Sequence, residues 1–143
     1  MTTKLIHEVF EELEAAPHAD AAKAILFYNM NAGLRGVLRA NFHPGIKFVI
    51  DEVPVYREND APLGLGDTSI HKEINRVYIF EQNNPRVDPN LTLERKKQVL
   101  VQILEGLEAK EAKIFADMLM KRIQVKHLTK ELIEEVFPDM FSY

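Results

Sequence analysis

Cysteine is absent from this chain of 143 residues, and serine occurs only at Ser69 and Ser142. The absence of cysteine excludes disulfides, thiolate metal ligands and a cysteine nucleophile, and it fits a reducing compartment. Neither serine lies in the pattern of a nucleophile elbow. No apolar run approaches the ~20 residues of a membrane-spanning helix, and no apolar segment typical of a signal peptide follows Met1. We therefore expect a globular protein with no membrane contact.

Other patterns of enzyme chemistry are also missing from the sequence. The glycine-rich turn at 64–69 lacks the lysine of a phosphate-binding P-loop, and we interpret it as a flexible turn followed by a helix N-cap. No two of the five histidines have metal-ligand spacing on one helix. We predict a protein that is not an enzyme and needs no metal and no cofactor. A hydrolase or transferase would be the alternative, but the sequence assembles no site for one.

The chain has no large excess of basic residues: it carries 18 basic and 22 acidic residues, which give a net charge of −4. This balance argues against a protein that coats nucleic acid non-specifically, but it leaves a local basic face open. Residues 46–90 carry five bases and eight acids, so the middle is the acidic part. Basic residues concentrate at particular points of the flanking segments.

Apolar residues recur at spacings of three and four, which predicts an all-α fold with a single helical domain over 1–143. About seven helices are expected, with N-caps at Thr3, Asp67-Thr68-Ser69, Thr92 and Thr129. Gly106 lies in a natural C-cap neighbourhood, and Pro138 closes the last helix. The predicted helices cover about 5–14, 19–30, 34–42, 70–80, 93–107, 108–122 and 129–137.

One extended insertion interrupts the helical pattern. Ile46–Ile50 is β-branched and aromatic, which fits either a short strand or an extended buried segment. Asp51–Gly66 contains two prolines and two glycines and is predicted to be a loop. Within it, Tyr56 and Arg57 are residue types that often anchor protein interfaces.

The sixth predicted helix ends in a basic pair, Lys121-Arg122, and Lys126 precedes the Thr129 cap of the next helix. Basic residues and free backbone N–H groups at such a corner suit a phosphate backbone. Basic residues at a helix C-terminus are also favoured by the helix dipole, so a purely structural role stays open. The candidate DNA-binding residues are Arg35, Arg39, Lys47, Lys121, Arg122, Lys126, Thr129 and Lys130.

Several segments are similar to a family of small uncharacterised proteins from large tailed phages of the myovirus type. The resemblance runs along nearly the whole chain, and it implies a phage-encoded protein in the host cytoplasm, without implying a mechanism. The segments that carry it are Lys4-Leu-Ile-His-Glu-Val, Ile46-Lys-Phe-Val, Asn59-Asp-Ala-Pro-Leu-Gly-Leu-Gly, Ser69-Ile-His-Lys-Glu and Leu128-Thr-Lys-Glu-Leu-Ile-Glu-Glu-Val-Phe-Pro.

The order of segments also resembles the all-helical, N-terminal DNA-binding domain of ATP-dependent DNA ligases, the phage type in particular. Its ending is the most specific part: Ala112-Lys-Ile-Phe-Ala-Asp-Met-Leu-Met-Lys-Arg resembles the ligase helix that ends in a basic pair, and the helix from Leu128 to Pro138 resembles the next one. In ligases this turn packs against the sugar-phosphate backbone across the minor groove. The earlier matches are the helices Ile6–Leu13 and Leu34–Phe42, Ala24-Ile-Leu, Ile46–Ile50 and the cap at Thr68-Ser69.

By position, the ligase resemblance implies DNA contacts from Lys121, Arg122, Lys126 and Thr129. Two departures are visible. Lys126-His127-Leu128 fills the space where ligases carry a Cys-Gly or similar small pair. The nucleotidyltransferase domain with its Lys-x-Asp-Gly motif is absent, which implies a binding module without the enzyme.

We therefore expect non-catalytic binding of double-stranded DNA through backbone contacts. The alternative is a phage adaptor or regulator that binds a host or phage protein through the 51–66 loop, with Tyr56 and Arg57, and through the acidic middle segment. DNA binding requires the basic residues to share one contiguous face. The adaptor hypothesis predicts scattered bases and an exposed apolar or aromatic patch.

Overall fold

The computed structural model describes residues 4–60 and 68–142 and confirms the all-α fold, with 57% of these described residues helical. These residues form seven α-helices and one 3-10 helix, and their only β-type pairings are two isolated bridges. The α-helices are α1 Ile6–Ala15, α2 Ala19–Asn29, α3 Ala32–Phe42, α4 Ile70–Glu73, α5 Leu93–Gly106, α6 Ala109–Leu119 and α7 Lys130–Val136.

Two of the predicted N-caps are confirmed by their hydrogen bonds. The Thr92 hydroxyl accepts the N–H of Arg95 at 3.1 Å at the start of α5, and the Thr129 hydroxyl accepts the N–H of Leu132 at 3.1 Å at the start of α7. Each bond satisfies one of the donors that a helix N-terminus leaves without an intrahelical partner. The predicted caps at Thr3 and Asp67 lie outside the described residues.

The predicted helix over 70–80 is only partly α-helical, because α4 continues from Ile74 to Phe80 as a 3-10 helix. This segment crosses α3 at very close range. A Cβ on Gly33 would lie 2.1 Å from the His71 side chain, and one on Gly36 would lie 2.4 Å from the Ile74 side chain. Both glycines therefore serve the close approach of two backbones.

Helix α6 lies at the centre of the fold, packed against α1, α3 and α5. Its inward face carries Phe115 and Met118, both fully buried, which meet a core that includes Leu34, Leu38 and Leu104. Truncation of a buried phenylalanine costs about 3–5 kcal/mol of stability. The core therefore fixes the end of α6 against the end of α3, which positions the basic residues considered below.

The segment 46–50 is extended and partly buried, and it is not a strand of a sheet. Phe48 pairs with Glu81 in a single antiparallel bridge, and the neighbouring Val49 N–H donates to the Phe80 carbonyl at 2.8 Å. Of the predicted 51–66 loop, residues 51–60 contain no helix and form only one bridge, between Asn59 and Glu108. Residues 61–66 of that loop lie outside the described residues.

The predicted short turn between the last two helices is wrong in length. Helix α6 ends at Leu119 and α7 begins at Lys130, so ten residues, 120–129, connect them. Lys121 adopts a left-handed backbone with φ of 54°, and the Arg122 N–H donates to the Asp117 carbonyl at 2.8 Å. This is a Schellman ending with lysine where glycine is usual, so the basic pair follows the helix and does not belong to its last turn.

None of the described helices has both the length and the apolar character that crossing a membrane requires.

Candidate nucleic-acid interface

Three segments that are distant in the sequence bring basic side chains to the C-terminal end of α3. These segments are α3 with the residues that follow it, the 120–129 connection, and the start of α7. We call four of these basic residues the basic cluster: Arg39, Lys121, Arg122 and Lys130.

Lys121 caps the C-terminus of α3. Its Nζ donates to the carbonyl oxygens of Ala40 and His43 at 3.0 and 2.9 Å, and it lies 5.9 Å from the centre of the Phe48 ring. Desolvation lowers the pKa of this ammonium, which is held against the protein surface. Two of the three N–H donors of Lys121 are therefore used within the fold. Only one is left for a phosphate, fewer than the sequence prediction implies.

Arg39 binds the C-terminal segment of the described chain. Its guanidinium donates to the carbonyl oxygen of Met140 and, at 3.2 Å, to that of Ser142. Between these two residues, Phe141 lies edge-on to the Phe42 ring at 6.5 Å. Lys130 lies 5.4 Å above the Phe141 ring and pairs with Glu134 of the same helix at 3.0 Å. Residues 140–142 thereby connect the C-terminal end of α3 with the start of α7.

His43 is the residue around which these contacts converge, and it is 2% exposed. The Gly45 N–H donates to its Nδ1 at 2.9 Å, so the ring proton is on Nε2. Burial lowers the pKa of His43, and the charges of Arg39, Lys121 and Lys130 lower it further. A neutral imidazole thus lies among cations, which spares the cluster an additional buried charge.

Arg122 faces a cavity of about 460 Å³ beside the basic cluster. The Asn41 side chain fixes one wall of it, because its Oδ1 accepts the Ile123 N–H at 3.1 Å. Arg122 is exposed and forms no ion pair with the carboxylates of the described residues. Its guanidinium has five donors in a fork that matches the geometry of phosphate oxygens. The lining residues are Asn41, Phe42, Lys121, Arg122, Ile123 and Gln124.

The remaining candidates lie at different distances from this centre. Lys47 is exposed and follows α3 in the chain; it lies in the extended segment 46–50, where successive side chains point to opposite faces, and only its neighbour Phe48 meets Lys121. Arg35 is exposed one turn before Arg39 on α3. Among the contacts of the described residues, none joins Arg35 to the basic cluster.

Lys126 lies against α1, where its backbone contacts the acidic side chain of Glu14. Its N–H donates to Glu14 Oε1 at 3.0 Å, and the neighbouring His127 ring lies 3.2 Å from the Ala16 carbonyl. His127 adopts a φ of 69°, in the region that favours glycine. The Thr129 hydroxyl oxygen accepts a backbone N–H as the N-cap of α7, so its contact in this structure is with the helix.

The two residues predicted to anchor a partner protein differ in their surroundings. Tyr56 is half-buried and packs against the core, and burial raises the pKa of its hydroxyl, with a further contribution from Glu58. Arg57 is exposed, but its N–H donates to Glu105 Oε2 at 2.8 Å, which ties the loop to α5. Among residues 51–60, Val55 is an exposed apolar side chain, at 97%.

Sequence reasoning missed an exposed aromatic pair on α2. Phe27 and Tyr28 are 59% and 82% exposed, and their ring centres are 5.3 Å apart in an edge-on arrangement. Phe27 also stacks on Phe137, with ring centres 6.4 Å apart. The sequence prediction covered the helix 19–30 but did not single out this pair.

The described residues contain no group of three or more histidine, aspartate or glutamate side chains that could hold a metal ion.

A protein-family model described as "Family of unknown function (DUF6433)" matches residues 9–125. No curated protein and no solved structure matches the chain.

Proposed function

We propose that this chain, which belongs to the family of unknown function DUF6433, is a non-catalytic module that binds duplex DNA through the sugar-phosphate backbone. The observation that carries the proposal is the basic cluster at the end of α3. Within the described part of the chain, Lys130 is the one member of the cluster that pairs with a carboxylate. Cations without acidic partners produce a positive potential that attracts phosphates despite a net charge of −4.

Arg122 of the cluster and Lys47, which follows α3 in the chain, are the residues proposed to contact phosphates directly. Both side chains are exposed, and neither is used for a cap or an ion pair among the described residues. Arg39 and Lys121 are held by backbone carbonyls, so their proposed role is to set the potential and the shape of the surface. Base readout is not part of the proposal, because phosphate contacts carry no sequence information directly.

The resemblance to the DNA-binding domain of DNA ligases supports the same surface. In ligases the turn before the last helix lies against the DNA backbone, and here the equivalent stretch adjoins the basic cluster. His127 has the backbone conformation of a glycine, and its ring is bound to the Ala16 carbonyl. This arrangement removes an obstacle to close approach of the 126–129 backbone to a phosphate. The phage resemblance adds the host cytoplasm as the proposed site of action.

The test uses fluorescence anisotropy with labelled intact and nicked duplexes at about 50 mM salt, where backbone binding is strongest. The variant Lys47→Glu/Arg122→Glu is compared with Lys72→Glu/Arg95→Glu, which makes the same change in net charge at exposed positions of α4 and α5. We expect the first variant to lose at least about tenfold in affinity, while the second stays within about twofold. Undetectable binding by the wild type, or equal losses in both variants, would refute the proposal.

A protein adaptor remains a second candidate, because Phe27 and Tyr28 are exposed side by side and Phe27 stacks on the half-buried Phe137. Aromatic residues often dominate the energetics of protein interfaces. The relevant test is a pull-down from host cells with the wild type and a Phe27→Ser/Tyr28→Ser variant. A partner that the wild type retains and the variant loses would favour the adaptor, most clearly if DNA binding were absent.

A further inference from the structure

A second cavity, of about 360 Å³, lies between α1, α6 and the segment 123–125. Phe10, Ile114, Ile123 and Val125 supply its apolar lining. Cavities of roughly 300–1,000 Å³ are typical of small-molecule sites, so this one is at the small end of that range. We call it the α1–α6 pocket; Ile123 and Gln124 line both cavities, but neither residue proposed above to contact phosphates lines this one.

One buried histidine lines this pocket in a fixed orientation. His7 is 5% exposed, and its Nδ1 lies 3.3 Å from Oε2 of Glu111, which is 1% exposed. Glu111 also accepts the backbone N–H groups of Ile6 and His7 at 3.2 and 2.9 Å. Burial raises the pKa of Glu111, whereas the hydrogen bonds and charge of His7 oppose this shift.

The contacts of Glu111 favour one tautomer of a neutral His7 ring. A carboxylate that accepts two backbone N–H groups favours a third donor, so the imidazole proton belongs on Nδ1. Nε2 is then the ring nitrogen left to accept a hydrogen bond, and the His7 ring lines the pocket. A matching ligand must therefore offer an O–H or N–H donor at this end.

The charged side chains at the rim of the pocket determine what the other end of a ligand must carry. Lys110 pairs with Glu11 at 2.8 Å, and Lys113 pairs with Asp117 at 3.2 Å, so four of the rim charges compensate one another. Glu14 accepts the Lys126 N–H but has no cationic partner among the described side chains. The rim thus carries one carboxylate whose charge a ligand cation can neutralise.

We infer that the α1–α6 pocket binds an arylalkylamine, with a ring hydroxyl donating to His7 Nε2 and a protonated amine pairing with Glu14. The two residues are seven positions apart on α1, which corresponds to about 10 Å along a helix. An aromatic ring with a two-carbon amine chain, which carries a donor at each end, is comparable in length to this separation. The apolar lining takes the ring faces.

Tyramine is the probe, and binding is followed by two-dimensional amide NMR on the full chain. Phenethylamine lacks the hydroxyl and N-acetyltyramine lacks the charge, so each removes one proposed contact. Ile114→Trp fills the pocket, Glu14→Gln removes the rim charge, and Glu52→Gln is an exposed control outside the pocket. The NMR spectrum of each variant also reports whether it is folded.

We expect saturable binding of tyramine, with shifts centred on the pocket residues. Ile114→Trp should abolish it, and Glu14→Gln should weaken it by about three- to tenfold, the effect of one charge-assisted hydrogen bond at a partly exposed site. Phenethylamine and N-acetyltyramine should each bind about three- to tenfold more weakly than tyramine. The inference is overturned if tyramine shows no saturable shifts up to about 10 mM, or if a folded Ile114→Trp or Glu14→Gln variant binds it as the wild type does. The DNA proposal stands or falls separately, because it involves other residues.

Discussion

The Nζ of Lys121 lies 2.9 Å from the backbone oxygen of His43, so a lysine in the connection after α6 caps the C-terminus of α3. Such a cation offsets the partial negative charge and the unsatisfied carbonyls of a helix end. The sequence suggested a DNA contact for this residue, whereas its hydrogen bonds indicate a role in stability as well. A Lys121 variant would therefore change stability as well as charge, so DNA binding is better tested at other residues.

We predict that Lys121→Met lowers the free energy of unfolding by about 1–2 kcal/mol, because both carbonyls lose a charged donor. The matched control is Lys113→Met, which removes an exposed lysine from a pair with Asp117 on α6. Such a surface pair contributes at most about 0.5 kcal/mol. Urea unfolding curves measure both, and equal stabilities of the two variants would contradict the capping role.

Thr129 offers a way to separate stability from charge at the start of α7. Thr129→Ala should cost about 1 kcal/mol because it removes the acceptor for the Leu132 N–H. Thr129→Asp should keep the stability, because aspartate caps at least as well as threonine, yet it adds a negative charge close to the basic cluster. DNA affinity should therefore fall for Thr129→Asp alone. Thermal unfolding and anisotropy report the two effects, and a well-folded Asp variant with wild-type affinity would exclude this corner from the DNA surface.

The lowered pKa of His43 predicts a pH dependence of stability. Below about pH 6.5 the unfolded chain protonates this histidine, while the folded protein resists protonation because the ring is buried beside Arg39, Lys121 and Lys130. Stability from this group is therefore complete above pH 6.5 and declines as the pH falls toward the folded-state pKa. We expect the wild type to lose more stability than His43→Gln between pH 7.5 and 5.5 in urea titrations. A parallel decline in both proteins would contradict the assignment.

Local signals in the sequence were sufficient for most of the helical architecture. The apolar stripes of α1, α3 and α5 have the helical period, and the caps Thr92 and Thr129 act on donors only three residues away. Helix α2 was predicted to run to Met30, and the structure ends it at Asn29, within the usual uncertainty of helix ends.

Features that depend on distant contacts were not accessible from the sequence. The early end of α6 relies on a left-handed lysine, where a glycine would have been the recognisable signal. Arg39 meets the Met140 carbonyl across 101 positions, and no spacing rule relates such residues. The conversion of α4 into a 3-10 helix occurs where the chain crosses Gly33 and Gly36. His43 carries no signal in the sequence beyond its lack of metal-ligand spacing, so its place among the cations was not predicted.

The most direct measurement of the central claim is the salt dependence of duplex DNA affinity in the wild type and in Arg122→Gln, with Lys72→Gln as the control. Each phosphate contact contributes about −0.9 to the slope of log affinity against log salt concentration. We predict a clear negative slope for the wild type, a slope shallower by about 0.9 for Arg122→Gln, and no change for Lys72→Gln. An Arg122→Gln slope identical to that of the wild type, or DNA affinity that does not respond to salt, would contradict binding through the basic cluster.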